Sequence, residues 1–328
     1  MIKLNSNNRD LKKLSKNFYK RIEANIILRI SNEKSVLNLF KTDSSTSPFG
    51  DFLEKEIEDL ITLPLDKLIL KFEKELKQLF LNNYLTIKKT KTKPAYDTDF
   101  KKALNKILYY EDHDSWEAYR LSLDIGCNTC PYCNRNYITT LGSDSRKFVR
   151  GDFDHFLAKS IYPFFRFSFY NLIPCCVICN RNAKGKGETS LINNIYPYLE
   201  SFNCKTRFTY LPNSYEEIIG KGNPEIDFLF LGDNDHIRKS KGNIKLFRLK
   251  EQYSIHNQEL NDIIHKRRVF SDSYLIELQK DYPDLIKSFD VAYLLAFGKE
   301  FDLINDEKRP LSKFTRDIAD EIGMINYK

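Results

Sequence analysis

CNTCPYCNRNYITTLGSDSRKFVRGDFDHFLAKSIYPFFRFSFYNLIPCCVICNRNAK, residues 127–184, is the stretch on which the reading of this chain turns. Two Cys-x-x-Cys turns bracket it, Cys130/Cys133 at its start and Cys176/Cys179 at its end. Zinc takes four thiolates tetrahedrally, and a Cys-x-x-Cys turn offers two of them from one tight loop. Two such turns, far apart in sequence, close a structural zinc site around everything between them. Cys127 has the same spacing to Cys130, so Cys127/Cys130 remains an alternative first pair, whereas Cys175 lacks that spacing to Cys179. A metal held by four thiolates keeps no open position for substrate, so any chemistry must come from other residues of the loop.

Asp154-His155 and Asn180 are the candidates. Asp154 offers oxygen to a hard divalent cation. A neutral His155 can take a proton from water and so make the attacking nucleophile. Asn180 follows Cys179 directly, so the second turn fixes its place, and its amide oxygen can be the second protein ligand of the same Mg²⁺ or Mn²⁺. Asp152, two positions before Asp154 on an extended segment, shares its face and is a reserve ligand. Asn171 has a different expected role, bonding backbone groups of the loop that carries His155 and so orienting the imidazole. Lys159, Arg166, Arg181 and Lys184 surround these residues and are expected to contact phosphate; Lys186 shares that neighbourhood.

The wording CPYC, DFDHFLAKS, YNLIPCCVICN and RNAKG resembles the HNH endonucleases, which have a ββα-metal fold with a zinc-knuckle staple. The resemblance covers about 60 residues and implies His155 as general base, Asn171 as the middle Asn, Asn180 at the last position and Asp154 as metal ligand. This chain departs at the last position, where Asn180 stands in place of His. More loosely, DHFLAKSIYP and NLIPCCVICN are similar to HNH proteins of bacterial anti-phage defence, of Septu and retron type. That similarity implies an ABC-type ATPase as partner. The function so implied is metal-dependent hydrolysis of phosphodiester bonds in DNA, with RNA not excluded. The alternative is a non-catalytic zinc-knuckle module that binds nucleic acid or docks on an ATPase.

The remainder of the chain reads as scaffold. Of its 328 residues, 41% are hydrophobic and 30% charged, which suits a globular protein with a core. The net charge of +7 is compatible with a nucleic-acid partner without demanding one. Six of the seven cysteines fall in two clusters and Cys204 stands alone, a pattern of metal binding in a reducing compartment rather than of a disulfide framework. The N-terminus is too polar for a signal peptide, and no run approaches ~18 consecutive apolar residues. The expectation is therefore a cytoplasmic protein without membrane contact.

Periodicity predicts helices over 24–39, from Asp51 to a break at Pro64 and on to Phe80, over 99–123, as a pair over 253–278, and towards the end. IDFLFLGD predicts a strand and a turn. The basic run Arg238–Lys250 reads either as a phosphate-contacting segment or as an edge strand with exposed lysines. KKTKTKP at 88–94 reads as a solvated linker, and His113 as a surface or capping residue. The expected fold class is α+β, a small zinc-stapled ββα-metal module embedded in a mainly helical protein. Residues 1–125 would form a helical region for scaffolding or partner docking, 126–190 the nuclease module, and 191–328 a mainly helical C-terminal region.

Overall fold

The computed structural model describes residues 1–4, 9–40, 48–72, 85–86, 95–96, 98–109, 116–143 and 145–323. The 88–94 linker, His113 and the end of the Leu65–Phe80 stripe lie outside them. The chain mixes helices with small two-stranded antiparallel sheets. No helix among the described residues is long and apolar enough to cross a membrane.

The longest helix, Leu11–Leu37, starts where Asp10 accepts a hydrogen bond from the Lys13 amide. Its buried residues Leu11, Ser15, Phe18, Tyr19, Ile22, Ile26 and Ile30 recur at three- and four-residue intervals. That stripe packs on Phe49–Thr62 and Thr98–Ile107. The helix thus begins well ahead of Ala24, because Lys12, Lys13 and Lys16 on its outer face hide the apolar stripe from a simple reading of polarity. Pro64 breaks the next pair as expected: Phe49–Thr62 ends at Leu63, and Leu65–Lys71 begins immediately after the proline.

After Ala118–Ile125 the chain enters the cysteine-bracketed stretch. Strand Asp152–His155 pairs antiparallel with Leu172–Cys175, matching Asp152 with Cys175 and His155 with Leu172. A seven-residue helical segment of π type, Ile178–Lys184, follows at once. Its Asn180 carbonyl accepts from the Gly185 amide five residues on. Gly185 has φ +50°, a conformation that glycine adopts without strain, and it ends the segment by turning the chain back.

Beyond it, Thr206–Leu211 pairs with Glu225–Phe230, the strand predicted from IDFLFLGD. The run Arg238–Lys250 is helical, not an edge strand: it spans the end of Asn234–Leu246 and the start of Leu249–Tyr253. Several of its charges are answered by acids, Lys239 by Glu200 and Asp235, Lys250 by Asp227, and Arg248 by Glu251. The helices Asn257–Val269 and Asp272–Asp281 form the pair predicted from periodicity. Helix Ser312–Glu321 packs on Thr206–Leu211 and on Asn257–Val269. One contiguous buried cluster runs through all of this, with members from Met1 to Ala319.

Candidate active site

The sulfurs of Cys130, Cys133, Cys176 and Cys179 lie within 4.8 Å of one another, and all four residues are buried. A tetrahedral zinc with Zn–S bonds of about 2.3 Å spaces its sulfurs at about 3.8 Å; Cys133 and Cys176 Sγ stand 3.9 Å apart. The cluster therefore fits a metal such as zinc. Cys127 stays outside it. Its thiol donates to the Thr129 carbonyl at 3.1 Å, and burial pushes its pKa up, so it remains a neutral thiol. Hydrogen bonds from Cys130, Cys133 and Cys179 hold the Cys176 thiol well below its ordinary range. N–H donors also converge on the sulfurs: the Arg135 amide on Cys133, Asn136 Nδ2 on Cys176, the Cys179 amide on Cys176, and Gln252 Nε2 on Cys179. Such donors stabilise thiolates and fix them for a metal.

The first knuckle is held from far along the chain. Asn134, fully buried with φ +53°, accepts at its side-chain oxygen from the Lys313 amide and donates to the Asp306 carbonyl. Tyr253 Oη donates to the Cys133 carbonyl at 2.6 Å. These residues carry no motif, and their roles follow only from the fold.

A cleft of about 300 Å³ is lined by Asp154, His155, Lys159, Asn180, Lys184 and Lys186, among others. The strand Asp152–His155 brings Asp154 and His155 to it from one side, and the segment after Cys179 brings Asn180 and Lys184 from the other. His155 is buried, with its Nε2 3.1 Å from the Arg166 carbonyl. A carbonyl only accepts, so Nε2 carries the proton and Nδ1 carries the lone pair. Burial first, then the charge of Lys159, pushes the His155 pKa down to about 3. The imidazole is therefore neutral across the physiological range.

Asn171, fully buried, spans the loop after His155. Its oxygen accepts from the Leu157 amide at 2.6 Å, and its nitrogen donates to the Leu157 and Phe165 carbonyls, each at 3.1 Å. Leu157 lies two residues past His155, and Phe165 is adjacent to the carbonyl that holds the imidazole.

The other expected site residues are placed as follows. Asp154 is buried, and Lys184 Nζ meets its two oxygens at 2.8 and 2.7 Å while Tyr132 Oη donates to the second at 2.7 Å. Lys184 also donates to the His155 carbonyl at 2.7 Å. Asn180 turns its amide nitrogen to Asp152 at 3.1 Å, and Arg181 pairs with both oxygens of Asp152. Against the upward pull of burial, the bonds from Arg181 and Asn180 hold the Asp152 carboxyl below its usual range. The Arg166 guanidinium bonds Asn105, and Arg166 is not among the residues lining the cleft. Lys184, expected to contact phosphate, has all three ammonium hydrogens committed to Asp154 and His155. In this arrangement the donor set of Asp154 and Asn180 does not fit a catalytic Mg²⁺ or Mn²⁺, because an ammonium already bridges the carboxylate and the Asn180 amide N–H faces an acid.

No family model matches the chain, and neither a curated protein nor a solved structure does.

Proposed function

We propose that this chain is an endonuclease that hydrolyses phosphodiester bonds in DNA, with His155 as its general base. The observation that carries this reading is the position of His155: a neutral imidazole with a fixed tautomer, on the wall of an open cleft that also bears Lys159 and Lys186. Nδ1 takes a proton from water, the resulting hydroxide attacks phosphorus, and the P–O bond to the 3′ oxygen breaks as solvent protonates the leaving group. Lys159 and Lys186 attract the phosphodiester and offset the charge that grows on its oxygens. A base with a pKa near 3 is weak. The incoming anion opposes that depression, because it places negative charge beside the same lysine that lowers His155 in the ligand-free state.

The strand–strand–helix order of Asp152–His155, Leu172–Cys175 and Ile178–Lys184, stapled by four thiols, supports the resemblance to HNH endonucleases. Membership of a bacterial anti-phage system, action with an ABC-type ATPase and residence in the cytoplasm extend the proposal on that resemblance. Plasmid, single-stranded DNA and a tRNA pool incubated with the zinc-loaded protein, with and without added Mg²⁺ or Mn²⁺, test the reading. Cleavage by wild type and its loss in His155→Ala are expected. Equal activity, or equal inertness with the partner ATPase present, overturns it.

A further inference from the structure

Lys184 holds a position that its sequence context does not announce. It ends the helical segment after the second knuckle, where a lysine ordinarily points to solvent. The segment and the turn at Gly185 instead carry it inward, until its side chain is 3% exposed against 7% for Asp154. Its ammonium bisects the carboxylate, 2.8 and 2.7 Å from the two oxygens, and takes the His155 backbone carbonyl as a third partner at 2.7 Å. A carboxylate with a neighbouring backbone carbonyl is the kind of oxygen set that a hard divalent cation takes, at about 2.0–2.6 Å. The ammonium thus stands on the oxygens that a metal would use. Tyr132, between two zinc-cluster cysteines, donates to the same carboxylate and ties it to the knuckle.

We propose that Lys184 is the resident cation of this cleft, holding Asp154 and the His155 backbone in place of a divalent ion and excluding such an ion from Asp154. The inference rests on reading the cleft as a hydrolytic site, and it replaces the metal that the resemblance implies with a side chain. Two positive charges cannot share one buried carboxylate cheaply, and evicting the lysine leaves a buried ammonium without its partner. Lys184 is therefore a positioning residue. It neutralises Asp154 and fixes the strand end from which the imidazole projects.

The test needs no nucleic acid, so its failure is separate from failure of the nuclease reading, which His155→Ala decides. Free Mn²⁺ is followed by electron paramagnetic resonance during titration of the zinc-loaded full chain. Wild type and Asp154→Asn are expected to bind Mn²⁺ equally weakly. Lys184→Met, which leaves Asp154 without its counter-charge, is expected to gain one Mn²⁺ site per chain with affinity higher by about tenfold or more. That site should vanish in the Lys184→Met/Asp154→Asn double variant. Circular dichroism and zinc content report folding; if Lys184→Met does not fold, Lys184→Gln is carried through the same titration. Mn²⁺ binding by wild type that Asp154→Asn abolishes overturns the proposal without recourse to any lysine variant. So does a folded Lys184 variant that binds Mn²⁺ no better than wild type.

Discussion

Removing the side chain of Asn171 should loosen the loop that presents His155 while leaving the four-cysteine cluster intact. Asn171→Ala deletes three hydrogen bonds, to the Leu157 amide, the Leu157 carbonyl and the Phe165 carbonyl. At a net ~0.5–1.5 kcal/mol each, and with buried backbone groups left without partners, the loss is about 2–4 kcal/mol. For a chain of 328 residues that lowers the melting temperature by roughly 3–6 °C. Asn171→Asp should be worse at neutral pH, since it puts an oxygen where Nδ2 now donates to two carbonyls. Thermal melts with zinc content measured alongside read the stability. A ¹⁵N spectrum reads the imidazole, whose Nε2–H should exchange faster in Asn171→Ala once the Arg166 carbonyl is less firmly placed. A variant that melts with wild type, or an aspartate tolerated better than alanine, refutes the account of this loop.

Cys127→Ser should keep its zinc, whereas serine at 130, 133, 176 or 179 should lose it and unfold the module; metal analysis and melting check both. Gln252→Ala removes the donor on Cys179 and should weaken zinc retention, by about 10-fold or more, in a chelator competition. His155 should remain neutral at pH 5 in the ligand-free protein, which its ¹⁵N shifts report. The stability it contributes has a definite sign. Its folded pKa of about 3 lies below the ordinary 6.5, so the unfolded chain binds the extra proton first. That contribution is whole above pH ~6.5 and is lost as pH falls from there toward ~3; His155→Gln should flatten the fall.

The four-cysteine cluster was legible because Cys-x-x-Cys is a local signal that survives without knowledge of the fold. The short strands and the helical segment around it follow from the same stretch. What supports the cluster was not legible. Asn134 and Tyr253 act across separations of more than a hundred residues and Gln252 across 73, and nothing near them in sequence marks the partner. Lys184 reads in sequence as a phosphate contact because it follows Asn180 on the segment after the second knuckle, whereas in the fold its ammonium meets Asp154 and the His155 carbonyl. Only the π-type widening and the turn at Gly185 bring it inward. Residues 238–250 alternate apolar and basic closely enough to pass for a strand, and the contacts of the whole segment decide for helix.

Asn134 has a consequence for synthesis. Its partners at 306, 311 and 313 emerge from the ribosome long after the cysteines they brace. A nascent chain already holding both Cys-x-x-Cys turns still lacks the struts of the first one. The four-cysteine cluster is therefore fully braced only once translation has passed those residues, and a half-made molecule beside the ribosome carries both turns without their final support.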